Sequence, residues 1–302
     1  MSTVSSSIEM LIVARAIQAF GGCGMLVVAF AIVRDCFSGN DSAKVYSFLN
    51  CGVGISPLTA PIIGSYLVVW FGWRAGFAFL TIAGIIIFIV SWFKIDETLP
   101  NDRRIKFKAD IFKRYWHILI NRNFIRYATS AAAALAMFFT FFSTSPYIII
   151  KLLHIPQEDF GYYFFLIGLM FFIGSLISGK IVGFLGIYKT NLLGALLTTA
   201  GGLAMLIWYF MTGLTALNYL IPTMITAIGG AFMMGASAGG AMEPFPDIAG
   251  SAAALLGSIE FIFGSVVGTL IMHWPVRSTI PLALTMVILG GISLLVGSFL
   301  TR

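Results

Sequence analysis

Two charged side chains, Arg15 and Glu260, sit inside long apolar runs of this 302-residue chain, where a charge needs a reason to be kept. An arginine within a membrane span costs roughly 3 kcal/mol on insertion scales unless it faces a cavity, a partner or the interface. Arg15 is followed one turn later by Gln18 and a turn beyond that by Gly22. Two readings stay open for it: a guanidinium lining a polar cavity, or one whose long stem reaches back to the outer membrane surface. Glu260 has Gly257 three residues before it and Gly264 four after, on the same helical face. A carboxyl so placed is either a protonated, hydrogen-bonded packing group or one that exchanges a proton as its surroundings change.

A third pattern is mechanical. Gly52, Ser56, Ala60 and Gly64 recur every four residues and form one smooth stripe, while Pro57 and Pro61 interrupt the same helix. Each proline removes a backbone donor and bends the helix, which suits a site where a neighbour packs closely on small residues. Plain tight packing with kinks accounts for the stripe as well as an interface between moving parts does. Other chemistries lack residues. Cys23, Cys36 and Cys51 form no Cys-x-x-Cys pair, and His117, His154 and His273 read as isolated, solvated loop residues. No His-Glu-x-x-His pair, Gly-x-Ser-x-Gly elbow, Gly-rich phosphate loop followed by Lys, or filter-like repeat is present. The chain therefore reads as neither an enzyme nor a channel, with no metal and no cofactor called for.

The elements that must position these groups are apolar helices. A bilayer core about 30 Å thick takes about 20 helical residues to cross. Runs of that kind fall near 10–33, 43–70, 73–93, 124–150, 160–186, 190–212, 216–242, 248–272 and 279–300, which gives nine spans. Hydrophobic residues make up 59% of the chain and charged ones 10%, too few to cover a water-soluble protein of this size. The fold class is an all-α membrane protein.

The net charge of +6 is topological and indicates no nucleic-acid partner. With the first span running outside to inside, 14 of the 18 Lys and Arg fall in the inner connections and three, Arg74, Lys151 and Arg277, in the outer ones. This bias places the N-terminus outside and the C-terminus in the cytoplasm. Three spans (1–93) precede a basic cytoplasmic segment (94–123), and six spans (124–302) follow it. Six helices after a linker invite six before it, so three further helices are expected upstream. Within the linker, Ile105 to Leu119 mixes Phe107, Ile111, Phe112, Tyr115, Trp116 and Leu119 with Lys and Arg. That spacing suits either an amphipathic helix on the inner membrane face, touching lipid, or a solvated linker.

Taken in order, these motifs carry a resemblance. Arg15-Ala-Ile-Gln18-Ala-Phe-Gly21-Gly22, with Arg34-Asp35 closing the helix, resembles the fourth-helix Arg-x-x-Gln-Gly motif of drug:proton antiporters in the major facilitator superfamily. Gly52 to Ser65 resembles the fifth-helix antiporter motif. Gly72-Trp73-Arg74, Asp96-Glu97-Thr98-Leu99-Pro100, and Glu243-Pro244-Phe245-Pro246 followed by Ala249-Gly250-Ser251-Ala252 are similar to the Bcr/CflA (bicyclomycin-resistance) branch. The resemblance covers helices four to twelve of a twelve-helix bundle. It implies a proton-coupled exporter of small amphipathic compounds in the inner membrane, working by alternating access, with a small-molecule substrate and protons as partners. Arg15 would line the cavity and join proton coupling with Gln18 beside it, and Asp35 would belong to a cytoplasmic latch. Gly52, Ser56, Pro57, Ala60, Pro61 and Gly64 would form the packing surface that limits leak. The aromatics Phe138, Phe139, Phe141, Phe142 and Tyr147, with Met233 and Met234, would supply an adaptable apolar cavity. Ala19, Ala60 and Ser65 replace glycines of the motifs, and Gly183 stands where an Asp is usual. The competing reading is a truncated, transport-inactive remnant of such an exporter.

Overall fold

The computed structural model describes residues 1–36, 56, 59–95, 111–245, 248–274 and 278–299, and every regular element among them is helical. The chain divides into two units, Met1–Phe107 and Lys108–Arg302, each described by itself below.

In the first unit, α1 (Ile8–Cys36), α2 (Thr59–Phe71) and α3 (Arg74–Lys94) are apolar helices. Gly72, at φ +79°, makes the tight turn between α2 and α3 that a side chain with a Cβ would strain. Arg74 opens α3; its Nη2 donates to the Ser5 carbonyl oxygen at 2.9 Å and its guanidinium lies 4.3 Å from the centre of the Trp73 ring. None of the residues of α3 is buried, and the helix is apolar on all sides, the pattern of a span facing lipid or another helix.

The second unit is a packed bundle. A short helix, α4 (Ile111–Leu119), leads through Ile120 and Asn121 into α5 (Arg122–Pro146), where the Asn121 side chain accepts from the Phe124 N–H at 3.0 Å as N-cap. Past Pro146 the chain continues as a π-helical segment, Tyr147–Leu152. Helix α6 (Phe160–Thr212) is 53 residues long, about 80 Å at 1.5 Å per residue, far more than one crossing needs. Gly186, at φ 77° and ψ 167°, breaks it into two spans. Gly213 ends the second of these, and a capping box between Thr215 and Asn218 starts α7 (Ala216–Met242). Helices α8 (Ala249–Met272) and α9 (Ile280–Phe299) complete the unit.

Seven described helices are long and apolar enough to cross a membrane. With α6 counted as two spans and α2 as the described part of another, the nine expected runs are each met by helix. Helix α6 packs along α7 and α9, and α5 packs against α7, α8 and α9. Small residues make this possible, since between helices in lipid the drive to associate comes from close contact. A Cβ on Gly194 would stand 2.6 Å from the Gly229 carbonyl oxygen, and one on Gly202 would stand 2.8 Å from the Met286 Cβ. The alanines Ala128, Ala131, Ala132, Ala133, Ala134 and Ala136 of α5 are all buried.

Candidate functional site

Arg15 lies on α1, and its Nη1 donates to the Gln18 Oε1 at 2.8 Å, the contact that an i, i+3 spacing allows. The guanidinium also sits 5.7 Å from the centre of the Phe77 ring on α3. Guanidinium carries five N–H donors in a fixed fork, so one bond to an amide leaves most of them free for an anion or a polar solute.

Glu260 is the twelfth residue of α8, midway along the helix, and is half-buried. Leu256, one turn earlier, is buried in a cluster with Phe124 and Ala128 of α5, and Gly264, one turn later, faces the Phe139 ring of α5 at 3.1 Å for an added Cβ. Glu260 therefore stands on the side of α8 turned towards α5. Its carboxyl makes no ion pair or hydrogen bond with a described residue. A lone carboxyl at mid-span avoids the cost of a bare charge by holding a proton, and pays part of that cost whenever it releases one. Arg15 and Glu260 belong to different units.

Of the stripe, Gly52 and Pro57 lie outside the described residues. Ser56 and Ala60 are exposed, Pro61 falls in the first turn of α2, and an added Cβ at Gly64 would meet no atom within 4 Å. The close neighbour expected along the stripe is not met among the described residues. Arg34 and Asp35 form the last turn of α1, and their side chains lie outside the description.

Of the aromatics and methionines expected to line a cavity, Phe142 and Tyr147 are exposed and Met234 is half-buried, while the others pack within the second unit. Phe141 and Met233 are buried in its core, Phe139 packs on Gly264 and Gly268, and Phe138 packs edge-on to Phe171 at 5.1 Å between ring centres. The space left between Met137, Phe141, Thr226 and Met286 is about 10 Å³, room for one water at most. Dispersion rewards filling such gaps, and Phe and Met have the volume and adaptability to do so. His117 is also placed differently from expectation: it lies on α4, edge-on to the Phe245 ring at 6.1 Å.

Two polar arrangements escape a reading of the sequence. Ser130 Oγ donates to Asn191 Oδ1 at 3.0 Å, and Asn191 Nδ2 donates to Ser237 Oγ at 2.6 Å, tying α5, α6 and α7 together where all three side chains are buried. Near the other end of α5, Ser145 Oγ and the Tyr219 hydroxyl share a hydrogen bond of 2.6 Å. The second arrangement is Arg126, 8% exposed, whose guanidinium lies 4.2 Å from the centre of the Tyr188 ring and 5.2 Å from that of Tyr127. Its Nη2 has no hydrogen-bond partner among the described residues. An Asn within a span signals an interhelical bond but not its partners, and an Arg at a helix start is indistinguishable in sequence from a solvated one.

Three kinds of comparison with known proteins add to this. Residues 1–269 match the family model of the Major Facilitator Superfamily. The chain is 28% identical over 295 residues to the bicyclomycin resistance protein homolog of Haemophilus influenzae, covering 95% of this chain and 72% of that protein. It is 27% identical over 281 residues to the chloramphenicol resistance protein of Pseudomonas aeruginosa, covering 91% and 65%. It is 28% identical over 292 residues to multidrug resistance protein D of Escherichia coli, covering 96% and 72%. The chain thus spans 65% to 72% of the length of these relatives. Among solved structures, a bacterial homologue of the iron transporter ferroportin in its inward-facing state aligns with a TM-score of 0.60 at 11% identity, covering 90% of this chain and 66% of that one, a likeness of fold alone.

Proposed function

The chain belongs to the Major Facilitator Superfamily and is a multi-pass membrane transporter, and on that premise we propose that it is a proton-coupled exporter of small amphipathic compounds, working by alternating access in the inner membrane. The observation that carries the proton coupling is Glu260, a carboxyl midway along a span with no partner among the described residues. Relatives named for bicyclomycin, chloramphenicol and multidrug resistance support the class of cargo.

In this reading Glu260 takes up a proton when its face of α8 opens to one side and releases it when that face opens to the other. Arg15, held by Gln18, supplies the positive charge that favours deprotonation of a nearby acid or holds a polar part of the cargo. The stripe from Gly52 to Gly64 with Pro57 and Pro61 limits proton leak, Arg34 and Asp35 latch the cytoplasmic side, and the C-terminus lies in the cytoplasm.

The test uses the full chain in everted membrane vesicles carrying a proton gradient, challenged with a panel of lipophilic cations, antibiotics and amino acids. At least one compound should release protons in proportion to its own movement. E260Q should abolish proton release while compound exchange down its own gradient persists, and R15A should abolish both. No flux for any compound, or full proton coupling in E260Q, overturns the proposal.

A further inference from the structure

We propose that α4 is a docking surface for anionic phospholipid headgroups, with Trp116 as its anchor in the membrane interface and Lys113 and Arg114 as its phosphate-facing cations. The proposal rests on the second unit alone and is independent of transport activity.

Helix α4 has two apolar edges, and only one belongs to the protein core. On the inner edge, Ile118 is fully buried among Phe124 and Phe245, and Tyr115 packs on the same cluster. On the outer edge, Trp116 is 68% exposed and Ile120, four residues on, is 59% exposed. Lys113, three residues before Trp116, continues that line, and Arg114 stands beside it, both exposed. Neither makes an ion pair or side-chain hydrogen bond with a described residue. The inner edge fixes the helix in place, so the outer edge is displayed and cannot fold away.

The depth of α4 follows from its connection. Ile120 and Asn121 alone separate it from α5, whose apolar run crosses the membrane, so α4 lies at the membrane boundary. An indole at that depth places its ring among acyl ends and its N–H among headgroups, and a lysine or arginine on the same face reaches phosphate. The charge is biased: no Asp or Glu lies between Asp110 and Glu158, whereas Lys113, Arg114, Arg122 and Arg126 fall within 14 residues of that stretch. A zwitterionic headgroup offers such a face little net attraction, whereas a net negative one gains about fivefold in local affinity per cation.

The test is fluorescence quenching of Trp116 in the full chain, isolated as the difference between the wild type and W116F in lipid nanodiscs. Brominated phosphatidylglycerol should quench this emission several-fold more strongly than brominated phosphatidylcholine at equal mole fraction. K113Q/R114Q should lose most of that preference while quenching by phosphatidylcholine persists, and 1 M salt should weaken the preference in the wild type, a check that needs no variant. Equal quenching by both lipids in the wild type overturns the proposal, because it means contact with lipid in general. Quenching by aqueous acrylamide but by neither lipid also overturns it, placing α4 in water, and protection from all three quenchers overturns it by placing α4 under protein.

Discussion

Two chemically identical substitutions, Gly194→Ala and Gly291→Ala, should change stability in opposite directions. Adding a methyl to a helical glycine removes backbone freedom from the unfolded chain and is worth up to about 1 kcal/mol where there is room. Gly291, on α9, has room: nothing lies within 4 Å of an added Cβ. Gly194, on the second span of α6, has none, because the Cβ would stand 2.6 Å from the Gly229 carbonyl oxygen and 2.8 Å from both the Met233 N and the Phe232 Cβ. Two of these three atoms are backbone, so no side-chain rotation relieves the overlap, and α6 must move from α7 by about 0.8 Å to reach the 3.4 Å of ordinary contact. Overpacking of this kind costs about 1–3 kcal/mol. The shift would also stretch the Asn191–Ser237 bond, which crosses the same pair of helices one turn earlier. The expected balance is about 1–2 kcal/mol of destabilisation for Gly194→Ala against up to about 1 kcal/mol of stabilisation for Gly291→Ala. Reversible unfolding in mixed micelles, followed by helical circular dichroism, measures both. If the two variants shift the transition the same way, the close crossing of α6 and α7 at Gly194 is wrong.

The buried polar groups give two further predictions. Asn191→Leu keeps the volume but strands Ser130 and Ser237, and should cost about 1–2 kcal/mol, given about 0.6 kcal/mol for an average interhelical bond in a membrane and about 1.7 at most; S130A and S237A added to it should cost little more, as read by the same unfolding transition. Arg126→Met removes a buried guanidinium whose Nη2 has no partner among the described residues, worth about 1–3 kcal/mol, and forfeits a stack on Tyr188 worth about 0.5–2, so the variant should lose at most about 1 kcal/mol and gain at most about 2.5. Tyr188→Leu alone should be worse than Arg126→Met, and in the Met background it should be nearly neutral, a coupling that a double-mutant cycle measures.

What could be read from the sequence was the element, and what could not was its face. The runs at 73–93 and 216–242 appear as Arg74–Lys94 and Ala216–Met242 because bilayer thickness sets span length and glycine marks the breaks, as Gly72, Gly186 and Gly213 do with positive φ. Within a span the pattern falls silent, since lipid and protein neighbours are both apolar. Phe141 is buried and Phe142, its neighbour, is half exposed; Gly194 is tightly packed and Gly291 stands open. Nothing in residue type separates the members of these pairs. The same silence explains why Met233, expected in a cavity, lies in the core, and why the Gly64 stripe shows no close neighbour among the described residues. Polar residues are the partial exception: Arg15 and Glu260 stand out because lipid makes them costly, and Gln18, one turn from Arg15, is its hydrogen-bond partner.

The polar groups of the second unit sort by how they are satisfied, and the sorting bears on function. Hydroxyls within its spans largely return a bond to their own helix, as Thr140, Thr144, Thr223 and Thr226 do to carbonyls four residues back, and Asn191 is bonded on both sides. Among the described residues, the buried side-chain atoms without a partner, Arg126 Nη2 and Thr279 Oγ1, lie at the ends of helices, where a small displacement reaches headgroups or water. Glu260 fits neither group: it is central in its helix, faces α5 across glycine, and has no described partner. A structural role would be served as well by Gln, which carries no charge to desolvate, or by Leu, which needs no bond. Carboxylate chemistry at that position is useful only if the proton leaves and returns, and this is the property the coupling experiment on E260Q isolates.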